Sequence, residues 1–304
     1  MLTLADSERS AQGYQADSRN DAVMVYLNGE LVPRSEAKVS IFDSGFVLGD
    51  GVWEGLRLVK GRIVAIEAHM ERIYEGASAL MIDIGMSRDE LVAAIMDTLK
   101  VNDMSDGVHI RLMISRGRKT TPNQDPRFVL GGATIVIVPE YKLPRPEAVQ
   151  NGVTLFTSTF RCSPPDVFNL HLNTHSRLNF IQALIQAISA GADEALMLDP
   201  NGFVASCNST NFFIVRKGEL WTSTGRFNFK GITRSKLIDL AARNSITVRE
   251  KDFTLAEVYT ADEAFVTGTL ASLLPVRSID GRQIGESGMG PISALLRQLY
   301  LDSL

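Results

Sequence analysis

The chain has 304 residues, 45% hydrophobic and 22% charged, with 31 Lys and Arg against 35 Asp and Glu. That length predicts about two domains, and a net charge of −4 argues against nucleic-acid binding through bulk charge. No apolar run approaches the roughly 18 residues of a membrane helix, and Cys162 and Cys207 form neither a metal-type pair nor a disulfide framework, which predicts a reducing, cytoplasmic setting.

Residues 1–21 are polar, with no basic start followed by an apolar core, and are expected to be a flexible arm rather than a secretory signal. Order is expected from residue 23, where two short apolar runs flank Asn28-Gly29, a strong hairpin signal. A turn at Asp43, Ser44 and Gly45 precedes the Gly-rich stretch 47–66, whose second half reads as a hairpin turned at Lys60-Gly61. A helix is predicted over 69–84, with Met70, Ile73, Ala77 and Leu80 on one face. Another is predicted over 87–99, opened by a Ser87/Glu90 capping box. Residues 108–117 and 133–141 read as strands, separated by a long polar loop over 118–132. Pro144, Pro146 and Gly152 mark a linker over 144–152. These boundaries predict an N-terminal α/β domain over 22–143 and a C-terminal α/β domain over 153–304.

The second half alternates helix and strand. A helix is predicted over 176–190, with Leu178, Ile181, Ile185 and Ile188 on one face and Gly191 as its stop. Hairpins are expected over 194–206, 211–223 and 275–285, strands over 246–250 and 263–268, and helices from about Thr233 and over 291–304.

Several segments now stand in a telling order: YLNGELVPRSEAKVSIFDSGFVLGDGVWEGLR, HMERI, AGADEALMLDPNGFVASCNSTNFFIV, GITR and ADEAFVTGTLASLLPVRSIDGRQIG. Together, over about residues 24–300, the chain resembles the class IV aminotransferases. That group includes branched-chain and D-amino-acid aminotransferases, R-selective amine transaminases and aminodeoxychorismate lyase. The resemblance implies an α/β (α+β), two-domain, fold type IV architecture. It also implies pyridoxal 5′-phosphate or pyridoxamine 5′-phosphate between the domains, an amine or amino acid and a keto acid as small-molecule substrates, and a homodimer.

Beside that resemblance the residues make chemical sense. Gly231, Ile232 and Thr233 open a helix whose first amides and dipole favour a phosphate. Thr269, in the Thr267-Gly268-Thr269 turn, adds a hydroxyl, and Arg72 on the HMERI helix adds a counter-charge. The plainer alternatives are a helix cap and a surface ion pair. Two positions depart from the family. The lysine that holds the cofactor as a Schiff base falls on Asn173, and no lysine lies between Lys142 and Lys217. The glutamate expected at the pyridine nitrogen falls on Ser206. Lys230, directly before Gly231 and after the ring-packing Phe229, is the candidate substitute amine, against the alternative of a solvated loop lysine.

Other candidates are Arg116, Arg118 and Arg127 for a substrate carboxylate, and His171 and His175 for proton transfer. Each has an ordinary structural alternative. Cys207 has no evident base, and Asp50 with Glu54 reads as a pocket edge rather than a metal pair. Three functions follow: a transaminase with a relocated lysine, a cofactor-binding homologue that has lost transamination, and a pyridoxal-phosphate lyase.

Overall fold

A computed structural model describes residues 10–286 and 288–304. The chain divides into two compact units. The N-terminal unit takes Ala16–Leu143 and Leu172–Arg177; the C-terminal unit takes the chain up to Gln15, Pro144–His171 and Leu178–Leu304.

The N-terminal unit contains β1 (Met24–Leu27), β2 (Glu30–Pro33), α1 (Ser44–Leu48), β3 (Gly51–Val59), β4 (Arg62–Ile63), α2 (Ile66–Ala79), α3 (Arg88–Val101), β5 (Val108–Ser115), β6 (Arg118–Lys119), β7 (Val129–Leu130) and β8 (Thr134–Tyr141). Its main sheet has the order β2-β1-β8-β5-β3-β4 and pairs antiparallel throughout. Asn28 and Gly29 both take positive φ, 51° and 97°, which is what a tight two-residue hairpin demands of its central residues. Strand alternation sends Val52, Leu56, Leu58, Ile110 and Leu112 into one core with Met70 and Ile73 of α2 and Leu91 and Ile95 of α3. The opposite strand positions carry Trp53, Arg57, His109 and Arg111, with Gly55 in register with Arg111.

Local signals set the helix ends. Ser87 and Glu90 form the complete capping box of α3. α2 starts at Ile66 and stops at Ala79, short of the predicted end, because the chain turns at Met81 with φ 54°. The stretch 118–132 is not wholly irregular: β6 and β7 pair, and Pro126–Phe128 forms a 3-10 turn.

The C-terminal unit contains α4 (Pro146–Asn151), β9 (Val153–Thr157), α5 (Leu178–Ser189), β10 (Glu194–Leu198), β11 (Val204–Cys207), β12 (Asn211–Arg216), β13 (Glu219–Thr222), α6 (Ile232–Arg243), β14 (Val248–Glu250), α7 (Leu255–Tyr259), β15 (Glu263–Gly268), β16 (Ser272–Ile279), β17 (Arg282–Gln283) and α8 (Pro291–Asp302). Its sheet runs β11-β10-β9-β16-β15-β12-β13-β14, with β17 beside β16. It is mixed, since β9 is parallel to β10 and to β16, and β13 is parallel to β14. Phe213 and Phe265 stack with ring centroids 5.0 Å apart. They share a core with Leu237 of α6 and Leu296 and Tyr300 of α8.

α5 corrects one expectation. Its buried residues are Phe180, Ala183 and Ala187, packed with Ala195 and Met197 of β10, while Leu178, Ile181 and Ile185 are exposed. The helix is apolar on more than one face, so periodicity alone does not choose a side. The two alanines let the backbone approach the strand closely, and that contact sets the rotation.

The segment read as an arm is engaged where it is described. Ala11 is buried in the second core. Asn20 donates from its amide to the Tyr141 carbonyl at 2.9 Å and accepts from the Tyr141 amide at 2.8 Å. Among the described residues, no helix is long and apolar enough to cross a membrane.

The packing separates two isoleucines. Ile95→Ala is expected to lower unfolding free energy by about 2–5 kcal/mol, whereas Ile181→Gln, on the exposed face of α5, is expected to stay within about 0.5 kcal/mol. Urea unfolding of both variants checks this; equal losses would contradict the observed rotation of α5.

Candidate functional site

The C-terminal unit holds a cluster of donors around the start of α6. The cap residue Gly231 supplies no side-chain cap, so the first α6 amides have none to meet them. A Cβ on Gly231 would collide with Asn211 Oδ1, so a larger residue here would displace that side chain. Asn211 donates through Nδ2 to the Phe229 carbonyl at 2.7 Å, which fixes the loop that enters the helix. Across the sheet, Asn211 is in register with Thr267. The Thr267 hydroxyl is buried and has no hydrogen-bond partner among the described residues. Thr233 is buried, Thr269 half-buried, and the turn after Thr269 enters β16 through Ser272 at φ 63°.

A helix start, uncapped amides and hydroxyls are the donor set that a phosphate takes. The orphaned Thr267 hydroxyl is the observation that such an anion would satisfy. Ser206 is buried in the same unit, and its hydroxyl donates to the Thr210 carbonyl at 2.9 Å. Phe229 is half-buried. Lys230 is exposed, and its stem lies along Gly225, where a Cβ would sit 3.3 Å from Lys230 Cε. The carbonyl of Gly225 accepts from His171 Nε2 at 2.7 Å, which sets the tautomer of that ring.

Asn173 lies in the N-terminal unit, on the segment that adds to β3. Trp53 donates its amide to the Asn173 carbonyl at 2.9 Å, and Asn173 Nδ2 donates to the Trp53 carbonyl at 2.6 Å. The indole of Trp53 donates to the Thr174 carbonyl at 2.9 Å, and the His175 amide to Gly51 at 2.9 Å. The other end of the Asn173 amide, Oδ1, accepts from the Arg177 guanidinium. Arg177 stands 5.5 Å and Arg111 3.9 Å from the centre of the Trp53 ring. Burial and the charges of Arg111 and Arg72 bring Arg177 down to about 10. A lysine at 173 would not offer Arg177 the acceptor that Asn173 Oδ1 provides.

Arg72 is engaged with Glu54. Its Nε and one terminal nitrogen each donate to a Glu54 oxygen at 2.6 Å, and His69 Nδ1 lies 2.7 Å from the same carboxylate. Glu54 is fully buried, not at a pocket edge. Burial pushes its carboxyl up, yet His69 and Arg72 outweigh that and hold it below the ordinary value.

The remaining candidates have their own partners. Arg116 forks onto Asp50 at 2.6 and 3.0 Å and donates to the Leu80 and Met81 carbonyls. Arg127 pairs with Asp125 on the surface, and Arg118 is an exposed residue of β6. His175 packs against Gly45 and Gly51, and burial lowers its pKa. Cys207 and Cys162 are buried thiols; burial raises both, the latter to about 12. Asn211, Arg177, Trp53 and Arg111 were not singled out by sequence. Asn211 could have been found from its register with the Thr267 turn, and Arg177 from its spacing four residues beyond the vacated lysine slot.

Comparison with known proteins follows the same lines. The family model for amino-transferase class IV matches residues 51–279. A putative branched-chain-amino-acid aminotransferase of Methanocaldococcus jannaschii is 40% identical over 91% of this chain and 95% of its own length. A branched-chain-amino-acid aminotransferase-like protein 2 of Arabidopsis thaliana is 38% identical over 92% of this chain; the chain spans only 50% of that relative. A D-alanine aminotransferase of Listeria monocytogenes is 31% identical over 92% of this chain and 96% of its own. Among solved structures, a T.th. branched-chain amino acid aminotransferase complexed with N-(5′-phosphopyridoxyl)-L-glutamate superposes with a TM-score of 0.85 at 31% identity. That match covers 93% of this chain and 94% of that one.

The buried carboxylate yields a pH test. Glu54 is depressed in the folded chain, so its stabilisation is full above the unfolded carboxyl pKa and is lost as pH falls through the lower folded value. Glu54→Gln leaves Arg72 without its counter-charge and His69 Nδ1 without its carboxylate partner, and is expected to cost about 3–5 kcal/mol at neutral pH. The loss is expected to shrink as pH falls through the acid range. Urea unfolding at a series of pH values checks both; a loss independent of pH would show that the charge is not what matters.

Proposed function

The chain belongs to the class IV aminotransferases, and from that premise we propose that it binds pyridoxal or pyridoxamine 5′-phosphate and exchanges an amino group between an amine or amino acid and a keto acid. The observation that carries this reading is the donor cluster at α6, with its uncapped start and the orphaned hydroxyl of Thr267. The amides of Ile232 and Thr233 would hold the phosphate, together with the hydroxyls of Thr233, Thr267 and Thr269. Phe229 would pack on the ring and Ser206 would face its nitrogen. When bound, the cofactor supplies an electron sink for the carbon that bears the amino group. A neutral hydroxyl at Ser206 supports that sink less than a carboxylate does. Lys230, one residue before the cradle, is assigned the amine that anchors the cofactor and carries the proton. The names of the relatives point to amino acids as donors.

A second reading is favoured by Asn173, whose amide is committed at both ends. In it the chain keeps the amine form of the cofactor without a covalent bond and has lost transamination. Reduction with borohydride in the presence of pyridoxal phosphate, then digestion and mass spectrometry, separates the two. The first reading expects the adduct on Lys230, and Lys230→Ala to abolish it and slow turnover by orders of magnitude. Tight retention of pyridoxamine phosphate with no adduct supports the second. Retention of neither form overturns the cofactor assignment.

We also assign a homodimer, on family grounds, and a cytoplasmic location, supported by the buried free cysteines. Light scattering at micromolar concentration is expected to give twice the mass of the chain; a monomer would refute the dimer.

A further inference from the structure

We propose that residues 10–14 form a strap beside the Thr267–Gly268 turn and that the Gln12 side-chain amide is an additional ligand for the phosphate group held there. The inference rests on the cofactor reading above. Nothing in the composition of this polar segment suggests a binding role; its placement does.

The strap is fixed on both sides of Gln12. The Gly13 amide donates to the Ser10 carbonyl at 2.7 Å, and the Gln12 amide to the Ser10 hydroxyl at 3.1 Å, which closes a tight turn. Ala11 is 4% exposed and belongs to the core cluster of Val266, with Ala271 packed against it. Val266 immediately precedes Thr267, and Ala271 lies two residues after Thr269, so Ala11 is buried in the core that the ends of this turn also line. On the far side, Tyr14 bridges to Pro144 in the same unit.

Between these anchors the Gln12 side chain is exposed, and its Nε2 lies 4.0 Å from where a Cβ of Gly268 would stand. The amide therefore lies in van der Waals range of the turn at Gly268. The neighbouring Thr267 hydroxyl is buried and has no partner among the described residues, so the turn holds a group that a ligand could satisfy. A side-chain amide suits the position because it donates two N–H groups and does not titrate. A phosphate dianion there would be met by the α6 amides, the threonine hydroxyls and Gln12. A carboxylate at position 12 would repel it.

The test measures dissociation constants of the full chain for pyridoxamine phosphate, pyridoxamine and inorganic phosphate, by quenching of tryptophan fluorescence. Hydrogen exchange of residues 10–14 is followed in parallel. Wild type is expected to bind pyridoxamine phosphate with slowed exchange across the strap. A hydrogen bond to a charged group corresponds to about a tenfold effect or more. Gln12→Ala is therefore expected to weaken pyridoxamine phosphate by about tenfold, and Gln12→Glu by more, with pyridoxamine unchanged in both. Equal affinity of wild type and Gln12→Glu for pyridoxamine phosphate, or exchange in the strap unmoved by it, overturns the strap and leaves the cofactor reading standing. Wild type that binds none of the three probes overturns both.

Discussion

The pairing of residues 172–177 with β3 is the constraint on which the N-terminal unit turns. Four hydrogen bonds, from the Trp53 amide and indole, the Asn173 side chain and the His175 amide, hold a late piece of chain against an early strand. The same contact orients Trp53, and the Trp53 ring in turn seats Arg111 and Arg177. Asn173 is the one residue in the arrangement that both donates and accepts through its side chain. Its nitrogen secures the strand and its oxygen receives the guanidinium. An ammonium group only donates. Asn173 therefore ties Arg177 and β3 together through the two ends of one amide.

Local chemistry was the legible part of this fold. Asn28-Gly29 dictated its hairpin because few residues accept positive φ in succession, and Ser87 with Glu90 dictated the start of α3 because their side chains satisfy each other's backbone. The family order located Gly231, Ile232 and Thr233 at a helix start. What stayed hidden depends on long-range choice. Nothing near Arg72 in sequence announces that its partner is Glu54 on a neighbouring strand, nor near Arg116 that Asp50 will take its fork. The rotation of α5 was lost because its isoleucines and its alanines both follow helical spacing, and only the closeness of β10 decides between them.

Both units bury polar groups. In the N-terminal unit the buried Glu54 carboxylate is held by Arg72 and His69. In the C-terminal unit the buried atoms without a hydrogen-bond partner among the described residues include the Thr267 hydroxyl, beside an uncapped helix start, together with Glu194 Oε2, Asn228 Oδ1, Arg234 Nε and Arg297 Nε. Neutral donors cost less to leave waiting in the interior than charges do, so they keep a site open for an anion that arrives later.

The discontinuity of the N-terminal unit has a consequence for the order in which the chain can mature. As the polypeptide leaves the ribosome, β1 to β8 emerge first, yet β3 has no neighbour for its Trp53 amide until Pro144–His171 has also been made and Leu172–Arg177 follows. The nascent unit can collapse around its α2 and α3 core, but its last seam closes only after the C-terminal half has begun. A chain cut at Leu143 would expose that seam permanently, and in the intact protein the two halves are bound to a shared timetable of assembly.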